Sequence, residues 1–109
     1  MATTYKVLGQ SNPAATTLTT LYTVPSATEA VVSTISVANL SASAITYRIA
    51  IRPNGASIAN SQYLAYDVSL AANTTTAYTL GITLDAADVI SVYGSDTNAV
   101  FQAFGSEIA

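Results

Sequence analysis

Three groups of side chains in this 109-residue sequence could do chemistry: Arg48 and Arg52, four residues apart; Asp85 and Asp88, three apart; and seven tyrosines. Arginines clamp phosphates and carboxylates through planar, bidentate hydrogen bonds. Both arginines lie in "ITYRIAIRPNG" (45–55), where Ile45, Tyr47, Ile49 and Ile51 alternate with Thr46, Arg48, Ala50 and Arg52. This period of two marks a half-buried strand with the arginines on its outward face. At 3.3 Å per residue they stand about 13 Å apart, too far to clamp one phosphate. The spacing suits two separate ion pairs, each to a carboxylate across the sheet or across a subunit boundary, or a solvated face whose aliphatic stems cover their neighbours. Arg48 and Arg52 are therefore the candidate protein-interface residues.

Paired carboxylates serve glycoside hydrolysis. In "LDAADVI", however, Asp85 and Asp88 sit where aspartate commonly bonds backbone amides in a turn entering a strand. Asp96 could join them in a calcium site, but the dense alternating acids of calcium loops are missing. Histidine and cysteine are absent, which removes Ser-His-Asp and Cys-His machinery, sulfur-based zinc sites and disulfides. The glycines form no phosphate-binding pattern. The sequence thus points to a non-enzyme with no cofactor and no catalytic or metal site. Among the tyrosines, Tyr47, Tyr66 and Tyr78 share the apolar parity of their strands and are expected to pack inside. Tyr63 and Tyr93, near strand ends, are the candidates for stacking on a glycan.

Only 8% of the residues are charged, against roughly 25% in ordinary soluble domains. So neutral a surface suggests that much of it faces other protein. A net charge of -3 argues against nucleic acid, which demands clustered cations. No basic stretch leads into an apolar one at the start, and no run of 18 apolar residues occurs, so neither a secretory signal nor a membrane span is expected. "NLS" (39–41) and "NTT" (73–75) match the glycosylation sequon and read as accidental in that setting.

The elements that must position these residues are strands. "TYKVLG", "TTLYTVP", "TEAVVSTISVANL", "YLAYDVSL", "TTTAYTLGITL", "VISVYG" and "AVFQAFG" join the arginine strand to make about eight, punctuated by Pro25, Pro53-Asn54-Gly55, "DAAD" and "SDTN". Val31, Ile35 and Val37 share one parity, as do Leu64, Tyr66, Val68 and Leu70, and Thr76, Tyr78, Leu80 and Ile82. Helical periodicity with caps is missing, so essentially no helix is expected. Residues 1–109 read as a single all-β domain, a two-sheet antiparallel sandwich of jelly-roll-like or Ig-like topology, with 9–17 as an extended arm or connector.

In order and spacing, "LGQ" followed by Ala-Thr-rich sequence and "LYTVP", then "YRIAIRP" with "YLAYD", and the terminal "FGSEI" closely resemble small virion structural proteins of tailed bacteriophages, especially those infecting cyanobacteria. The resemblance covers nearly the whole chain. It implies a non-enzymatic virion component assembled in the host cytoplasm. The leading expectation is a capsid decoration or cement protein, a homo-oligomer with a trimer favoured, bound to the major capsid protein or other virion proteins. The alternatives are a tail, neck, baseplate or fibre-associated component and, from another class, a carbohydrate-binding module contacting the host surface. Neither nucleic acid nor membrane is an expected partner.

Overall fold

A computed structural model describes residues 2–109. The strands are β1 (Thr3–Ser11), β2 (Thr19–Thr23), β3 (Glu29–Asn39), β4 (Ile45–Arg52), β5 (Tyr63–Leu70), β6 (Thr75–Tyr78), β7 (Ile82–Leu84), β8 (Val89–Gly94) and β9 (Ala99–Ile108). Besides strands, the described residues hold two single 3₁₀ turns, Pro53–Gly55 and Asn60–Gln62. Among the described residues no helix is long and apolar enough to cross a membrane. The described residues hold nine strands rather than eight because "TTTAYTLGITL" is cut in two. Gly81 takes φ +65°, a left-handed conformation that ends the pleat at little cost only for glycine. β6 then pairs with Ile35–Ala38 of β3, and β7 with Ala30–Val32. Leu80, at this break, points to solvent instead of joining the inward parity.

The strands form two antiparallel sheets. One has the order β1-β9-β3-β6, with β7 also beside β3, and the other the order β2-β8-β4-β5. The chain changes sheet from β1 to β2, β2 to β3, β3 to β4, β5 to β6, β7 to β8 and β8 to β9. This wrapping, in which each half of the chain contributes to both sheets, is the jelly roll of the two topologies that the sequence left open.

The inner faces supply the core. Phe101, Tyr47, Ile35, Ile49, Ile90, Val32, Val37 and Val92 are fully buried between the sheets. Tyr47 meets Phe101 and Tyr78 edge-on, with both centroid separations 6.3 Å, within the favoured range for aromatic pairs. Its hydroxyl bonds that of Tyr78, so the polar end is satisfied where it is buried. Ile45, Tyr47 and Ile49 are buried and Ile51 packs against the core, which places the arginines of β4 outward as their spacing requires.

Bulges interrupt simple alternation in β1, β2, β3 and β5, and those of β3 and β5 move residues that period two assigns to the core. In β3 the register shifts between Val32 and Thr34. Ala30 and Val32 therefore join Ile35 and Val37 inside, and Val31, expected on the inward parity, leaves the core. In β5 the register slips twice against β4: Tyr47 faces Val68, Ile49 faces Ala65, and Ala50 faces Tyr63. Ala65 and Leu70 are the buried residues of this strand, while Leu64 and Tyr66 are exposed. A bulge inserts one residue without a partner and so reverses every side chain beyond it.

The connections gather at the two ends of the sandwich. At one end Asn39 is 2% exposed. Its amide donates to the carbonyls of Ser43, Leu70 and Ala71 and its oxygen accepts from Ser41 N–H, tying two loops together. The connector expected over 9–17 is shared out: Gly9–Ser11 complete β1, Pro13 is buried, and Thr16 N–H donates to Gly94 O at 2.8 Å.

Candidate functional site

The outward face of the β2-β8-β4-β5 sheet carries the residues of interest. Tyr93 of β8 stands directly opposite Arg48 of β4. On the other flank the bulge in β5 sets Tyr66 and Asp67 against Arg48. Asp67 has φ 49°, a conformation that Asp and Asn tolerate better than most residues. Its carboxylate accepts from Arg48 Nε at 2.6 Å and Nη2 at 3.3 Å. The guanidinium carbon lies 4.2 Å from the ring centroids of both Tyr66 and Tyr93. Arg48 is thus held between two aromatic faces, an arrangement in which the ring quadrupoles attract the cation, while Asp67 grips it from the end. Asp67, against a smaller opposing effect of desolvation, holds the guanidinium more firmly protonated than a free arginine.

The expectation that Arg48 finds a carboxylate across the sheet holds. Arg52 finds none. Its Nε donates to Ala56 O at 2.8 Å, Nη2 to Gly55 O at 3.1 Å and Nη1 to Ser91 Oγ at 3.3 Å. The turn after β4 folds back so that Arg52 binds its carbonyls, and Ala50 and Ser91 on the same outward face are buried. The third cation, Lys6, meets Glu107 Oε1 at 2.8 Å, and Tyr22 of the opposite sheet donates its phenol to the same carboxylate.

Tyr66 corrects the sequence reading. Expected inside, it is 54% exposed, because the bulge in β5 reverses the parity of the strand at this point. Tyr63, a glycan candidate, lies outward beside it, with ring centroids 4.8 Å apart and planes at 81°. Together with Asn60 these two rings line an open cleft of about 330 Å³. Tyr93, the other glycan candidate, is half-buried against Arg48 and lies outside that cleft. The structure therefore joins Arg48, Tyr63 and Tyr93 on one face, adds Tyr66 and Asp67, and leaves Arg52 bound up in its own turn.

The acids behave as turn caps. Asp88 accepts from Asn54 N–H at 2.8 Å and Asp85 N–H at 2.9 Å, one on each oxygen. Asp96 accepts from the backbone and side-chain amides of Asn98. Because β8 separates Asp88 from Asp96, the three acids lie at opposite ends of the sandwich and cannot share a calcium ion. No cluster of three potential metal ligands occurs among the described residues.

Fold and face together define a charge-poor jelly roll with an aromatic, arginine-centred outer surface. No known protein family, no characterised protein and no solved structure shows a significant match to the chain.

Proposed function

We propose that this protein is a non-enzymatic structural component of a bacteriophage virion, most specifically a decoration protein that binds the assembled capsid shell and stabilises it. The sequence resemblance motivates the reading. The observation that carries it furthest is an apolar strip on a surface almost free of charge. Tyr5, 84% exposed, and Val7 lie on β1, an edge strand, and Val7 stands opposite Phe104 of β9. Exposed apolar side chains beside an open strand edge suit attachment to a repetitive protein surface and self-association into a closed oligomer.

All three cations are engaged inside the chain, Lys6 and Arg48 with carboxylates and Arg52 with carbonyls. Nucleic acid, which needs several available cations, is correspondingly disfavoured as partner. A ligand that binds only the assembled shell opposes disassembly by mass action, and many copies multiply a modest contact. Particles lacking the protein should lose integrity at lower temperature or gentler osmotic shock than complete ones. Equal resistance of both would remove the decoration role. Copy number then separates the shell from the tail, neck or baseplate: quantitative gels of purified particles should give a count comparable to that of the major capsid protein.

A further inference from the structure

We propose that the cleft between Asn60, Tyr63 and Tyr66 binds a neutral saccharide, with one pyranose ring stacked on an open tyrosine face. This inference stands on the geometry of the opposite sheet and does not rest on the virion reading. The two rings meet at 81°, so one serves as floor and the other as wall. Arg48 covers one face of Tyr66, and an edge-to-face pair occupies only one ring face more. Tyr66 nevertheless keeps more than half its surface open.

A pyranose presents an apolar C–H face and a polar rim of hydroxyls. The cleft presents the matching pair, aromatic faces bordered by the exposed Asn60 and two phenol hydroxyls. Its volume of about 330 Å³ falls at the small end of ligand sites, roughly 300–1,000 Å³, and favours one or two sugar units over a length of peptide. Preorganisation favours the same use. Tyr66 is fixed by Arg48 behind it, Arg48 is fixed by Tyr93 and Asp67, and a ring already in place loses little freedom on binding.

Charge selects the class of sugar. The cation nearest the cleft, Arg48, is already paired with Asp67, and Arg52 is committed to its own turn, so neither a uronate nor a phosphate would find a partner. A nucleotide could stack on the same rings, but single-strand binding couples stacking to a cationic groove, which this face lacks.

The test uses the full chain on an array of neutral and anionic oligosaccharides, with hits titrated calorimetrically. At least one neutral glycan should bind in preference to the anionic ones. Tyr63→Ala should weaken that binding about tenfold, the scale of one lost aromatic contact. Tyr63→Phe should retain most of it, and Tyr5→Ala, an exposed tyrosine on the other sheet, should leave it unchanged. A thermal melt of each variant separates lost contacts from lost folding. Binding that survives Tyr63→Ala and Asn60→Ala in folded protein would overturn the assignment, as would preference for anionic glycans. A silent array would overturn it too, and if Tyr63→Ala then abolished particle incorporation, the cleft would be a protein contact.

Discussion

Asp67 occupies the left-handed region of backbone space at φ 49° and from there grips Arg48 Nε at 2.6 Å. Strain and ion pair belong together. An unbulged β5 would set one residue, not two, against Arg48, and either the ring of Tyr66 or the carboxylate of Asp67 would be lost. The bulge places both on the same cation, and with Tyr93 on the far side it turns an exposed strand face into a rigid surface.

Arg48 should matter more to stability than the acid it pairs with. Asp67 keeps 45% of its side chain exposed, and such pairs are worth at most about 1 kcal/mol. Asp67→Asn should therefore cost no more than that. Arg48→Ala removes the pair, two ring contacts and the apolar cover of the stem, and should cost about 1–3 kcal/mol in denaturant unfolding. Arg48→Lys should recover little, because an ammonium lacks the flat face that fits between two rings. Equal losses for Asp67→Asn and Arg48→Ala would assign the energy to the salt bridge instead.

Period two in "ITYRIAIR" was sufficient to place Tyr47 and the isoleucines inside and both arginines outside, because β4 runs without a bulge through that stretch. The same rule misplaced Val31 and Tyr66, where Ser33 and Asp67 interrupt the pleat. One signal was present. Aspartate is rare in strands and tolerant of positive φ, so Asp67 in the middle of an alternating run marks a break in parity. The site itself was less legible than its strands. Arg48 meets Tyr93 and Tyr66 only through long-range register, and the jelly-roll order likewise depends on which distant strands pair. Asp85 and Asp88 illustrate both cases: the bonds that Asp88 accepts from Asp85 N–H and Asp85 from Ala86 N–H are local and readable from spacing, whereas the bond from Asn54 N–H to Asp88 spans 34 residues and depends on the fold.

Asn39 is the polar hinge of one end of the sandwich. Asn39→Ala would strand the Leu70 carbonyl in a buried place and leave the part-buried Ser43 and Ala71 carbonyls and Ser41 N–H without this partner, at a cost of about 2–4 kcal/mol. Asn39→Asp should be no milder, because a carboxylate cannot donate to the three carbonyls that the amide serves. The same bonds close the 39–41 sequon in the folded chain. Denaturation midpoints check the first expectation. Expression in a glycosylating host, followed by mass measurement, checks the second, and sugar on Asn39 of folded protein would contradict this bonding.

Gly105 sits where β9 passes the bulge of β3, and a Cβ there would lie 2.0 Å from the carbonyl oxygen of Val31. Backbone cannot swing aside as a side chain can. Gly105→Ala should cost about 3 kcal/mol or more, the upper range for overpacking. Gly81→Ala offers the contrast: nothing lies within 4 Å of its Cβ, so its cost is only that of placing alanine at positive φ, about 1–2 kcal/mol. If Gly105→Ala proved the milder of the two, the close approach of β9 to β3 would be refuted.

Stability should fall at both ends of the pH scale, for separate reasons. Lys6 foremost, then the Tyr22 phenol, hold the Glu107 carboxyl below its ordinary value. The folded state therefore binds its proton less readily than the unfolded chain, and this contribution, complete above the ordinary carboxylate range, is lost as acid titrates the folded group. Lys6→Ala removes the leading cause and should flatten the acid limb of a melting-temperature profile. Tyr22 and Tyr47 are pushed the other way, Tyr22 by burial and then by Glu107, Tyr47 by burial and then by its bond to Tyr78. Their neutral phenols favour the fold up to about pH 10, and that support is lost as pH rises toward the folded values, because the unfolded chain ionises first. In a spectrophotometric titration of the seven tyrosines, Tyr22→Phe and Tyr47→Phe should each remove one late-ionising phenol. Loss of an early one would mean that these rings stand in water rather than between the sheets.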